Sequence, residues 1–208
     1  MLPLAAMKLY FAQGTCSLAP HIALREAGLP FTLVRFDMKT QTLEGGARLA
    51  DVNPKGYVPT LELDDGRRLT EVSAVLQYIA DAAPAAKLAP PAGTFERYRL
   101  AEWLNYLAAE IHKSFWPFFH EGCDAEKPNQ GERLKQRFGW LEKQLADRPF
   151  LMGEGFTVAD AYLFTMSNWL KPAGFDIAAW PTLAAYRTRI RDRAAVRAAI
   201  DAERPAAR

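Results

Sequence analysis

Cysteine and histidine are scarce in this chain, and their scarcity removes several functions at once. Two cysteines and three histidines among 208 residues show no metal-ligand spacing, so a zinc site is set aside. Cys16 and Cys123 form no disulfide framework, which fits a reducing, cytoplasmic setting. Excess charge is missing too: a formal net charge of +2 gives no basis for binding nucleic acid or a membrane surface. No apolar run reaches the length of a membrane span. The start, MLPLAAMKLY, lacks the basic head and long apolar centre of a signal peptide; residues 1–6 read as an extension before the first strand. A phosphate loop of the G-x-x-x-x-G-K type is absent, which sets nucleotides aside.

What is present begins with KLYFAQGTCSLAPHIALREAG, residues 8–28. Lys8 to Ala12 reads as a strand, Gln13-Gly14-Thr15 as a turn, and a helix follows from Ser17. Gly28 stands where a helix end favours a left-handed residue, with Pro30 beyond it. Cys16 therefore falls at a strand–helix junction, where backbone N–H groups and the helix dipole are expected to favour a thiolate. The alternative is an ordinary small buried cysteine.

Phe31 to Asp37 reads as a second strand, which makes a βαβ unit with parallel pairing. Residues 40–51 read as weakly helical, interrupted by Gly45-Gly46. In Asn53-Pro54-Lys55-Gly56-Tyr57-Val58-Pro59, a strand is expected from Val58. A cis Val58–Pro59 bond would turn the Val58 backbone outward, towards an extended ligand, though the local sequence does not establish one. Leu61-Glu62-Leu63 and Arg67-Arg68-Leu69 flank Asp64-Asp65-Gly66, a hairpin signal. Glu71 opens a helix reaching about Asp81. An acid there suits the helix dipole, or else binds a ligand ammonium beside backbone donors that take its carboxylate, as an α-amino acid would require.

The proline- and alanine-rich stretch AAPAAKLAPPAGT marks a boundary. Residues 1–83 are expected to form an α/β domain and residues 84–94 a linker. Residues 95–208 are expected to form an all-helical domain. Its long first helix, from Phe95 to about Glu121 with a kink at Pro117, buries Leu100, Leu104, Leu107, Ile111 and Phe115. Asn105 and His112, seven apart, are expected on nearly one face, with Lys113 beside it. Thr157 and Asp160 form a capping box, read as structural.

The blocks KLYFAQGTCSLAPHIALREAG, NPKGYVP, LDDGRRLTE, EWLNYLAAEIHKSFWP and FTVADAYLF together resemble the bacterial β-class glutathione S-transferases, in order along nearly the whole chain. The resemblance implies a thioredoxin-like βαβ-ββα N-terminal domain, a helical C-terminal domain and a homodimer. It implies glutathione as co-substrate with no cofactor, and a detoxifying transfer of its thiolate to small hydrophobic electrophiles. It puts Cys16 beside the glutathione sulfur, Ser17 as a nearby hydroxyl and His112 as a polar group from the helical domain. Val58, before a cis Pro59, should pair with the cysteinyl part, while Glu71 should hold the γ-glutamyl ammonium. Lys113, Asn105 (from the partner subunit) and Tyr10 match positions near glutathione. Phe115, Trp116 and Trp169 are expected to border the electrophile, in a cleft between the domains.

Two departures stand out. Val72 follows Glu71 where the family has Ser or Gly, leaving only its backbone N–H for the glutamyl carboxylate. Gln41 stands where the family has a glutathione-binding lysine, and whether Lys39, two residues earlier, compensates stays open. Two other readings stay open: a monothiol disulfide oxidoreductase acting through Cys16, and a non-catalytic interaction module on the same fold.

Overall fold

The computed structural model describes residues 7–204. These divide into two compact units, one comprising residues up to Leu88 together with those from Ala194 onward, the other comprising Ala89–Arg193.

In the first unit, β1 (Met7–Phe11) pairs in parallel with β2 (Phe31–Asp37), with Leu9 opposite Leu33. Between them runs α1 (Leu18–Glu26). It ends as the sequence indicates: Gly28 takes φ 64, its N–H bonds Arg25 O, and Leu29 N–H reaches back to Leu24 O. That is a Schellman closure, which needs a left-handed residue and so favours glycine. β4 (Thr60–Glu62) lies antiparallel to β1, and β5 (Arg68–Thr70) closes the expected hairpin, Leu61 facing Leu69. The stretch read as weakly helical is mostly not so: β3 (Thr42–Leu43) adds an antiparallel edge to β2, and only Leu49–Val52 (α2) coils. Its paired glycines, at φ 95 and 89, cannot sit in a regular helix. The sheet order is β3-β2-β1-β4-β5. Strand alternation sends Tyr10 into a cluster with Phe36, Leu43, Leu49 and Val58, and Leu9 and Phe11 to the opposite face.

α3 (Val72–Ala82) and α1 pack together, and so do α1 and α9 (Ala194–Glu203). The last helix of the stretch expected to be the helical domain thus packs within the first unit. The tie is polar as well as apolar. His21, fully buried, bonds Glu203 Oε1 through Nδ1 at 2.9 Å and accepts from Arg25 Nε at 2.9 Å, while Arg35 donates to the Glu203 carbonyl at 2.9 Å.

In the second unit, α4 (Phe95–Tyr106) does not continue as one α-helix to Glu121. Residues Leu107–His112 widen into a π-helical turn and Lys113–Phe115 tighten into a 3₁₀ turn. A short α5 (Trp116–Phe119) then starts with Pro117 in its first turn, where the missing N–H costs nothing. Leu100, Leu104, Leu107, Ile111 and Phe115 are all buried as the spacing predicts. α6 (Lys127–Gln144), α7 (Val158–Ser167) and α8 (Pro181–Arg191) complete the unit. The Thr157–Asp160 capping box is present, and the buried Asp160 carboxylate also accepts from Leu151 N–H and the Tyr186 hydroxyl. Its role is structural, as expected.

Candidate functional site

The loop from Ala12 to Ser17 places the thiol. Ser17 precedes α1, but its hydroxyl does not face outward. It donates to Ala12 O at 3.1 Å, accepts from Ala12 N–H at 3.2 Å and lies 2.8 Å from Thr15 Oγ1. With no exposed surface, Ser17 is a strut that locks the turn rather than an open catalytic hydroxyl. The reason is local: a small hydroxyl at a strand–helix turn can replace missing backbone bonds.

Cys16 is 8% exposed, and its Sγ–H donates to Val58 O at 3.4 Å. Burial pushes its pKa up, to about 12; its own backbone N–H opposes this, and the Glu71 charge adds to the rise. Burial therefore favours the neutral thiol where the helix start favours the thiolate. A shift of this size corresponds to roughly 4 kcal/mol, whereas a helix terminus contributes about 0.3–1 kcal/mol. Desolvation wins.

The Val58–Pro59 peptide is cis, and the loop before it is anchored by buried Asn53. The Asn53 side chain donates to Tyr57 O at 2.7 Å and accepts from Lys55 N–H at 3.1 Å. Glu71, at the start of α3, adopts φ 67. A non-glycine residue held at positive φ costs about 1–3 kcal/mol and tends to mark a functional position. Its Oε1 accepts from Lys55 Nζ at 2.6 Å and from the Tyr57 hydroxyl at 2.7 Å; these bonds are the largest causes of the raised pKa of both donors. Val72 follows as the buried first residue of α3. The first unit therefore brings Cys16, Val58, Pro59, Glu71 and Val72 into one region.

Tyr10 is placed differently. Its buried hydroxyl donates to Glu62 at 3.1 Å, and burial followed by that bond raises its pKa. Its hydroxyl serves the sheet. Gln41, exposed and at φ 59, turns its amide to Met38 O at 2.7 Å.

In the second unit, His112 lies at the end of the π-helical turn, with Nδ1 2.8 Å from the Tyr162 hydroxyl and its ring edge-on to Trp169 at 5.0 Å. Asn105 is exposed near the end of α4. Asn105 lies in α4 and His112 at the end of the π-helical turn, so one regular α-helix does not carry both. The Lys113 ammonium sits 4.8 Å from the Trp116 ring centre. Phe115 is fully buried core, while Trp116 and Phe119 are 48% and 43% exposed. Trp169 packs against Phe115 and Phe119 at 5.6 and 5.4 Å. Among the described residues, no group of three or more His, Cys, Asp or Glu could hold a metal ion.

Sequence reading missed Lys55 and Tyr57, which hold Glu71, and Tyr162, which holds His112. All three sit inside quoted motifs, but only the folded loop shows what they face.

The chain matches the glutathione S-transferase N-terminal domain over residues 14–82 and the C-terminal domain over residues 124–206. It is 42% identical to the glutathione S-transferase GstA of Escherichia coli O157:H7, spanning 95% of this chain and 98% of that protein. Its fold is similar to a sphingomonad glutathione S-transferase complexed with glutathione, with TM-score 0.91, 46% identity and coverage of 94% and 98% of the two chains. It is likewise similar to the β-class enzyme of Sphingomonas chungbukensis, with TM-score 0.91, 48% identity and the same coverage.

Proposed function

Since this chain belongs to the glutathione S-transferase family, in its bacterial β class, and is a glutathione transferase, we propose that it joins the glutathione sulfur to small hydrophobic electrophiles, with Cys16 as a hydrogen-bond donor rather than the attacking group. The observation that carries this reading is the buried Cys16 thiol, whose proton is held towards Val58 O. A neutral S–H beside the ligand's cysteinyl part can donate to a developing glutathione thiolate, and the nearby start of α1 adds positive character. Attack by Cys16 itself would first require losing a proton that the site retains.

Val58 pairs with the cysteinyl backbone in this reading, Glu71 takes the γ-glutamyl ammonium, and Val72 N–H faces the glutamyl carboxylate. The assignments of Asn105, His112 and Lys113 to glutathione rest on the family resemblance. Phe119, exposed beside Trp169, and the exposed Trp116 stacked on His120 supply flat apolar surface suited to a hydrophobic electrophile. Detoxification, a homodimer and a cytoplasmic location belong to the same reading; the exposed Phe95 and Tyr98 of α4 support pairing of subunits. Glutathione is consumed as co-substrate.

Exchange through a Cys16–glutathione mixed disulfide is the second reading, favoured by the position of the sulfur alone. Replacing Cys16 with Ala separates the two. Conjugation of a chromogenic aryl halide should fall by no more than about tenfold, and glutathione-dependent disulfide exchange should disappear. Near-complete loss of conjugation would overturn the first reading, and exchange that survives without the Cys16 sulfur would overturn the second.

A further inference from the structure

The γ-glutamyl end of glutathione carries an ammonium and a carboxylate on one carbon, so a group that takes one charge has the other beside it. Glu71 answers only the ammonium. Neither residue singled out by the family pattern supplies the complementary cation: Val72 has no polar side chain, and Gln41 is turned to Met38 O. A cation nonetheless stands there. Lys55 Nζ lies 2.6 Å from Glu71 Oε1 and 3.0 Å from Thr70 Oγ1.

We propose that Lys55 is a specificity residue for the dipolar γ-glutamyl end: the Lys55–Glu71 pair exchanges partners with the ligand, Glu71 taking the ammonium and Lys55 the α-carboxylate. This rests on reading Glu71 as the ammonium site. The exchange leaves no charge unpaired, since one internal ion pair becomes two between protein and ligand.

A bland alternative is a surface ion pair of no consequence, and side chains 48% and 57% exposed fit that description. Three features favour the proposal. Lys55 is not on a loose tip, because its N–H is bonded to the buried Asn53 side chain and that same side chain holds Tyr57 O. Tyr57 donates to the same Glu71 oxygen, so the carboxylate keeps a neutral partner when Lys55 turns away. Glu71 holds a positive φ, which sets the direction of its Cα–Cβ bond, while Lys55 and Tyr57 hold its carboxylate.

The test is calorimetric titration of the full chain with S-methylglutathione and with two analogues, one lacking the α-carboxylate (4-aminobutanoyl-S-methylcysteinylglycine) and one lacking the ammonium (glutaryl-S-methylcysteinylglycine). Lys55→Met should bind S-methylglutathione about fivefold more weakly, as the loss of a half-exposed ion pair allows, and the des-carboxy analogue as well as the wild type does. Lys55→Arg should recover most of the loss. Unchanged or tighter binding of S-methylglutathione by Lys55→Met would overturn the proposal, making Lys55 a mere competitor for Glu71. The underlying reading is tested separately by Glu71→Gln, which should weaken the des-carboxy ligand and, by freeing Lys55, leave the des-amino one bound at least as tightly. If Glu71→Gln changes neither, the ammonium site itself is wrong and the proposal falls with it.

Discussion

The two cysteine thiols of this chain have different surroundings, and their chemistry should differ accordingly. Cys16 is 8% exposed, donates its proton to a carbonyl and has its pKa pushed to about 12; Cys123 is half-buried at the start of a short turn before α6. Treated with iodoacetamide near neutral pH and read by peptide mass spectrometry, Cys123 should label first, with Cys16 slow until the pH is raised strongly. The reverse order would show that Cys16 carries the thiolate after all. The position of Cys16 was legible in the sequence because strand, turn and helix start are local patterns. Its protonation was not, because desolvation depends on what the loop around Val58 lays over it. Ser17 and Tyr10 teach the same point: the residue types suit chemistry, but their hydroxyls are bonded to Ala12 and Glu62, partners that only folding reveals.

At the scale of elements, Glu62 ties three strands together. From β4 it accepts from Lys8 and Tyr10 of β1 and from Arg68 of β5, at 2.9, 3.1 and 2.8 Å. Its pKa lies below the ordinary 4.5, chiefly through Lys8, with burial opposing and Arg68 next in support. A carboxyl with a depressed folded pKa contributes stability above its unfolded pKa and loses it as pH falls through the folded one. Glu62→Gln should therefore unfold at lower urea than wild type at pH 7. The gap should close as pH drops below the ordinary glutamate range. A gap that persists unchanged in acid would mean the charge is not what matters. The hairpin joining β4 to β5 was readable from its Asp-Asp-Gly turn. The widened turn at Leu107–His112 was not, because the buried stripe keeps its hydrophobic pattern through it.

Across the whole molecule, the βαβ-ββα order and the helical remainder could be read from periodicity, and five motifs in order carried the family. The placement of α9 could not, because an amphipathic helix shows in its sequence that it has a buried face and not which partner covers it. Its anchor can be tested. Glu203→Ala would leave the buried His21 Nδ1–H without its acceptor, a loss of about 1–3 kcal/mol, read as a lower urea midpoint for unfolding; an unchanged midpoint would show that the contact contributes little.

The return of α9 also bears on synthesis. A ribosome delivers the second unit in full before Ala194, so α1 must wait with its His21 side bare until residues 194–203 emerge. A fragment stopping near Leu88 would carry that bare apolar and histidine-bearing face permanently, and it should self-associate rather than behave as an independent module.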